Sequence, residues 1–511
     1  MATQAEFSKP LVGPRLMIAG FVLALANFMV ILDTTIANVS VPHIAGGLGI
    51  SPSQGVWVIT SYSVAEAITV PLTGWIAARF GAVRGYVFSL AGFATFSFLC
   101  GMSNTVTMLV LCRVGQGICG GPLMPLTQTL MMRIFPREQQ ARAMGLWSMT
   151  VVLGPIGGPI LGGWISDNWS WPWIFFINLP VAVICVFAAW RMLRASETPI
   201  QKASIDVIGM VLLVIFVGAL QLMLDLGRER DWFGSSLIAV LGLVAAIGFV
   251  IFLVWELTEE HPAVDLRVFR HRGFSAGTVS LAVTFGTFFA SVVILPQWLQ
   301  FSMGYTATEA GLLTALNGLS ALVMSPVAAR LVGKVDGRLM VCGGMLWLAF
   351  TSILRTTWNI EGTWWTFAFP QLLQGLGMPF FFIPLTTIAL GSVDPSETAS
   401  AAGLQNFLRT LGGAFAASVA TTYWFNQTQA NRSVLTGTLN DPEGTMRALE
   451  GAGFSHEQAR GMIDQLVEQQ GTMLSTNHIF LVAAVFFIAA ALMIWLVPKP
   501  PPGAQGAMGA H

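Results

Sequence analysis

Four ionisable side chains fall inside long apolar stretches. Asp33 lies deep in a run from about Leu16 to Val41, and Glu66 sits in the middle of 56–78. Arg113 falls within 106–132 and Arg409 within 399–425. A charge in hydrocarbon costs about 2.5–3.5 kcal/mol on insertion scales, so each should face the interior of a helical bundle and find a partner or water there. On a helix, Ala26, Ala37 and Ser40 project within about 40° of Asp33, a small-residue face suited to close packing. A carboxyl group held there can bind and release a proton, with burial and a nearby cation pulling the balance in opposite directions. It can equally be the permanent partner of an arginine. Arg113 carries Gln116 on the same face, and its fork of donors is expensive to bury unpaired. Asp33 is its expected partner. If protonation of Asp33 breaks that pair, two helix arrangements become available; otherwise the pair is a fixed strut.

Tyr62, Thr69 and Thr73 stand at i−4, i+3 and i+7 from Glu66, a stripe that should line a water-filled cavity. Glu66 can bind a cationic group there, carry a second proton, or simply line the wall. Arg409, near Gln405 and Asn406, is the corresponding case further along the chain. With Asn38 and Gln116, these residues form the expected substrate cavity. Asp225 and Glu256 lie near the ends of their stretches, where they can reach an interface and serve topology.

The elements that would position these groups are membrane helices. Apolar residues make up 54% of the 511 and charged residues only 10%, against about a quarter in a soluble domain. A span needs roughly 20 apolar residues, and fourteen stretches qualify: 16–41, 56–78, 85–103, 106–132, 143–166, 172–193, 205–226, 235–257, 274–299, 306–331, 339–357, 364–391, 399–425 and 476–497. The first is too long for a signal-peptide core and should remain as a span. Acidic and basic residues are equal at 25 each, so no basic surface invites nucleic acid. Cys100, Cys112, Cys119, Cys185 and Cys342 lie in or beside apolar segments, with neither disulfide framework nor metal spacing. Basic residues such as Arg79, Arg84, Arg133, Arg142, Arg267 and Arg338 crowd one set of loops, which places both termini on the cytoplasmic side. The acidic loop Asp394–Glu397 breaks that rule.

The chain also repeats itself. Arg113-x-x-Gln116-Gly117 followed by Pro125-Leu126-Thr127 is matched by Gln371-x-x-Gln374-Gly375 followed by Pro384-Leu385-Thr386. Spans 1–6 thus match spans 9–14, with two spans inserted. The expected organisation is a six-helix bundle over 1–200, an insert over 201–262, and a second bundle over 263–511 that includes an outside loop at 426–476. Two parallel halves are the signature of the major facilitator architecture. Within the outside loop, Ser455 and Gln458 read as a capping box, so 456–470 is either a short helix or a solvated loop. The run 498–511 is Pro/Gly/Ala-rich and is expected to be disordered. In span 5, Gly154, Gly158 and Gly162 recur every four residues with Pro155 and Pro159, and Gly163 follows. Such a face makes a tight seam or hinge between the halves, or ordinary helix packing. Gly74, Arg79, Gly81 and Arg84 form a loop that either gates or sets topology.

No GxxxxGK[ST] loop occurs, so solutes must move on an ion gradient or passively, and no cofactor or metal is expected. No nucleophile–base set suggests an enzyme. A symporter, a fatty-acid exporter or a channel-like sensor on the same scaffold stays open.

The motifs resemble those of the fourteen-span drug:proton antiporters of the major facilitator superfamily, the EmrB/QacA type, over nearly the full length. Leu32-Asp33-Thr34-Thr35-Ile36-Ala37-Asn38-Val39 resembles the family's span-1 motif, and the resemblance implies that Asp33 couples protons. Arg113-x-x-Gln116-Gly117 resembles the span-4 motif, whose arginine is linked to proton transfer. Gly158-Pro159-Ile160-Leu161-Gly162-Gly163 resembles the span-5 motif of antiporters. Trp173-Ile174-Phe175-Phe176-Ile177-Asn178-Leu179-Pro180 is also typical. Two positions depart: Ala78 stands where the span 2–3 loop motif has an acid, and Glu66 stands where a neutral residue is common. The resemblance implies export of hydrophobic drugs on a proton gradient. It also implies a periplasmic adaptor (EmrA-like) and an outer-membrane channel (TolC-like), with 426–476 as a candidate adaptor contact.

Overall fold

A computed structural model describes residues 13–200, 206–227, 230–439 and 441–496, with the backbone alone at a few helical positions that include Pro155 and Pro159. The 498–511 run lies outside the described residues. The helices in chain order are α1 (Pro14–Leu48), α2 (Pro52–Thr69), α3 (Thr73–Phe80), α4 (Ala82–Gly101), α5 (Val106–Gly120), α6 (Leu123–Ile134), α7 (Gln140–Asn168), α8 (Trp173–Phe176) and α9 (Asn178–Leu193). They continue with α10 (Val207–Leu226), α11 (Ser236–Thr258), α12 (Arg272–Phe301), α13 (Ala307–Leu331), α14 (Gly337–Arg355), α15 (Trp364–Gly391), α16 (Thr398–Gly437), α17 (Pro442–Gly451) and α18 (His456–Met493). The fold is all-helical, and each expected span is occupied by one helix or by two in line.

Eleven spans among the described residues are long and apolar enough to cross a membrane, as a multi-pass membrane protein requires. The α2–α3 pair, α7 and α16 fall outside that group, because Ser/Thr, Gly/Pro and amide residues dilute their apolar content. These same helices carry much of the contact between the halves.

The helix pairs repeat. In the first half α1 packs on α7 and α9, α5 on α2 and α4, and α4 on α9. In the second half α12 packs on α16 and α18, α15 on α13 and α14, and α14 on α18. The inserted α10 and α11 pack on each other, and α10 leans on α2 and α16. The halves meet where α7 lies against α13 and α15 and where α16 lies against α3 and α6. At one end this contact is tight. Asn406 donates to Gln128, Trp147 stacks on Phe382 at 5.6 Å, and Gly74 leaves no room for a side chain against Ser400.

The 426–476 segment, expected as an outside loop, differs from that expectation. Ser455 does cap a helix at His456, accepting from Gln458 N at 3.2 Å, but that helix runs unbroken into the last span. Helix α16 likewise continues past 425 to Gly437. The two form a projecting hairpin tied by Arg432–Asp464 at 2.5 Å, Arg432–Glu468 at 3.3 Å and Asn431 donating to Ser475 at 3.0 Å. The polar composition that reads as a loop is that of helices which pair with each other instead of with lipid.

The acidic loop that breaks the charge rule is neutralised from elsewhere. Arg270 binds Glu397 at 2.6 Å and Asp394 at 3.6 Å, and His271 reaches Glu397 at 2.8 Å. Segregated in sequence, these charges are paired in space.

Candidate functional site

Asp33 and Arg113 meet. The guanidinium Nη1 of Arg113 donates to Asp33 Oδ2 at 2.7 Å, and both side chains are at most 1% exposed. Gln116 Nε2 and Asn178 Nδ2 both donate to Asp33 Oδ1, at 3.0 and 2.6 Å. Arg113 also donates to Gln116 Oε1 at 2.8 Å and, through Nε, to the Val58 carbonyl at 3.1 Å. The guanidinium lies 4.2 Å above the Tyr62 ring, a cation–π contact that compensates part of its lost hydration. One helix of this half after another contributes: α1, α2, α5 and the start of α9. Arg113 and Gln116 share a face because i and i+3 do. Asn178 reaches in because the chain restarts as α9 there, and Ser97 accepts its second hydrogen bond at 3.0 Å.

Asn178 carries no charge and lies at the edge of a motif, so burial logic does not single it out. Its one signal is the Phe-Phe-Ile-Asn-Leu-Pro run.

Beside this network lies a cavity of about 530 Å³ between the halves, within the usual range of small-molecule sites. Its walls include Ile31, Thr34, Thr35, Asn38, Glu66, Phe285, Phe289 and Arg409. Asp225 and Gln221 close it from the insert, with Gln221 donating to Asp225 at 3.0 Å. Of the expected lining, Asn38, Glu66 and Arg409 are present. Tyr62, Thr69, Gln116, Gln405 and Asn406 are not. A glycine face on α5 explains the first two. Gly117 and Gly120 let the Tyr62 backbone and hydroxyl approach, and Gly121 and the Gly117 carbonyl take the Thr69 hydroxyl. The polar stripe of α2 therefore turns into α5, and only Glu66 with its neighbours Ser63 and Ala67 reaches the cavity. Gln116 belongs to the Asp33 network. Gln405 is buried with both amide atoms unpaired, and Asn406 is held by Gln128 and the Ala402 carbonyl. Asp225 and Glu256 are more than topological. Asp225 is a cavity wall, and Glu256 is fully buried, accepting from Val264 N at 3.0 Å.

The repeat places a different chemistry in the second half. Gln371 and Gln374 stand where Arg113 and Gln116 stand, and both accept from Arg355 of the neighbouring α14. Asn317 donates to Gln374 at 2.7 Å. No carboxylate among the described residues pairs with Arg355, so this network has no member that exchanges a proton near neutral pH.

The glycine-rich face of α7 is a seam, but not between the halves. Gly154 packs on Ile31, Gly158 on Thr35 and Gly162 on Ile36, all on α1 of the same half. The Thr35 hydroxyl donates to the Gly154 carbonyl at 3.1 Å. The opposite end of α7, through Gly145 and Trp147, meets the second half. A Cβ at Gly163 would meet nothing within 4 Å. In the 74–84 loop, Gly74 sits at the inter-half contact. Gly81 adopts φ 88° beneath the Glu197 carboxylate, which accepts from the backbone of Val83 and Arg84 at 2.8 and 3.0 Å. Arg84 is exposed and Arg79 half-buried.

Residues 23–417 match the family model described as Major Facilitator Superfamily. The chain is 44% identical to "Multidrug export protein EmrB" of Escherichia coli (strain K12) over 98% of this chain and 99% of that one. It is 41% identical to "Fatty acid resistance protein FarB" of Neisseria gonorrhoeae over 96% and 98%. Among solved structures it superposes on the human organic anion transporter MFSD10 with TM-score 0.57 at 16% identity, covering 93% of this chain and 100% of that one. The proton:xylose symporter XylE matches with TM-score 0.57 at 14% identity over 95% and 96%. These structures share the fold.

Proposed function

The chain belongs to the Major Facilitator Superfamily as an EmrB-like transporter, and on that premise we propose that it exports hydrophobic small molecules in exchange for protons. Protons load on Asp33, and the cavity between the halves holds the substrate. The observation that carries this reading is the buried Asp33–Arg113 pair on the back of the same α1 helix whose Thr34, Thr35 and Asn38 line the cavity. Protonating Asp33 removes the charge that holds Arg113. Breaking a buried pair is worth about 3–5 kcal/mol, enough to shift a two-state equilibrium by more than two orders of magnitude. Because α1, α2 and α5 all attach to the pair, that change reaches the cavity wall directly. The Gln371/Gln374/Arg355 network supports a division of labour in which the first half couples and the second half is rigid.

The same reading places the protein in a bacterial inner membrane with both termini cytoplasmic, and divides it at 1–200, 201–262 and 263–511. The tight contact at Gly74, Gln128 and Asn406 then closes the cytoplasmic end. The 74–84 loop would open that end, with Glu197 capping the loop in which Ala78 replaces the motif's own acid. The projecting hairpin of α16 and α18 would meet an EmrA-like adaptor that leads to a TolC-like channel.

Reconstituted vesicles with an imposed pH gradient test the central step. Wild type should couple dye movement to proton flux, and Asp33→Asn should abolish both while remaining folded. Coupled movement in Asp33→Asn at the wild-type rate would sink the assignment.

A further inference from the structure

Glu66 and Arg409 stand on opposite halves and line the same cavity. Arg409 is 4% exposed. Its Nη2 reaches only Met124 Sδ at 3.1 Å and Asn406 Oδ1 at 3.3 Å, its Nε has no partner, and its guanidinium lies 4.6 Å from the Phe285 ring centroid. No ion pair within 4 Å joins it to Glu66 or to any other acid among the described residues. Among the described residues, each wall thus presents one charge that forms no ion pair within its own half.

The same cavity is lined by Phe285 and Phe289, stacked at 5.8 Å, and by Ile31 and Val151. A purely apolar ligand would strip water from both charges and return nothing to either. A ligand with one charge would satisfy one wall and strand the other. We infer that the cavity selects zwitterionic amphiphiles, with an amine at Glu66, a carboxylate on the Arg409 fork and an aromatic body against Phe285 and Phe289. Arg409 suits a carboxylate because its planar donors match the two oxygens. Asp225 is a third charge on the wall, at the last turn of α10, where one uncharged amide, Gln221, donates to it; it is the rival to Glu66 as the partner of the amine. A ligand that bridges both walls also draws the halves together, which couples its recognition to closure.

The inference rests on the cavity being the substrate site, and the test separates the two claims. Four compounds share one aromatic body and carry an amine, a carboxylate, both, or neither. Their binding to the full-length detergent-solubilised protein is measured calorimetrically, without any gradient. The zwitterion should bind at least about tenfold more tightly than each of the others. Glu66→Gln should erase its advantage over the acid alone, and Arg409→Gln its advantage over the amine alone. Arg409→Lys, which keeps the charge, covers the case in which Arg409→Gln does not fold; it should retain a reduced preference. Equal affinity for all four compounds would overturn the inference and leave the cavity as the substrate site. So would an unchanged order in Arg409→Gln, or loss of the amine preference in Asp225→Asn instead of Glu66→Gln. Binding of none of the four by wild type would overturn both claims.

Discussion

Asp33 and Arg113 are 80 positions apart in sequence and 2.7 Å apart in space, with neither side chain in reach of solvent. Among the described residues, every further hydrogen bond to that carboxylate comes from an uncharged amide, Gln116 or Asn178. One charge therefore answers one charge, and the net charge of the site rises from zero to one positive unit when a proton arrives.

Arg113→Met should destabilise the protein by roughly 3–5 kcal/mol, since it leaves a buried carboxylate without its counter-charge. Asp33→Asn with Arg113→Met should recover part of that loss, because the amide keeps hydrogen-bonding capacity and no net charge is stranded. Chemical unfolding in mixed micelles of the two single variants and the double variant gives the coupling energy. Additive losses would show that the two groups do not act as a pair.

Two glycines of one motif should behave oppositely. A Cβ at Gly158 would overlap the Thr35 hydroxyl and crowd the backbone of α1, whereas one at Gly163 meets nothing within 4 Å. Gly158→Ala should lower the thermal midpoint and export together. Gly163→Ala should change stability by no more than about 0.5 kcal/mol. Similar effects at both positions would contradict the α1–α7 seam.

A Cβ at Gly145 would stand 3.3 Å from that of Ala329 across the contact between the halves, near the separation that a disulfide spans. Gly145→Cys with Ala329→Cys should cross-link under oxidation, stop vesicle transport and release it on reduction. Unimpaired transport in the cross-linked protein would show that this end does not open during the cycle.

The hairpin can be cut short cleanly, because Gly471 packs against the backbone of Arg432. Replacing 433–469 with a short Gly/Ser linker should leave transport in adaptor-free vesicles near wild type and impair export by cells. Equal loss in both assays would assign the hairpin to folding rather than to a partner.

Much of the site was legible because charges in apolar runs have few places to go. Asp33 and Arg113 come together on that logic alone, whereas Gln116, expected in the cavity wall, joins them instead. The stripe on α2 misled because periodicity says which residues share a face, not which neighbour the face meets. The glycines of α5 drew Tyr62 and Thr69 inward, and only Glu66 was left to the cavity. For the same reason the repeat in α7 announced close packing without naming α1 as its partner. The helical extensions over 426–476 were hidden by their composition, since Arg432, Asp464 and Glu468 stabilise them across the hairpin instead of through an apolar stripe.

Proton release on substrate binding tests the account most directly. Purified protein in weakly buffered detergent solution, mixed with a transported dye, should release protons to a pH indicator, because cargo and proton favour different arrangements of the Asp33–Arg113 pair. Asp33→Asn should bind the same dye and release none. Equal release from Asp33→Asn, or none from wild type at saturating dye, would contradict a cycle that turns on this carboxyl group.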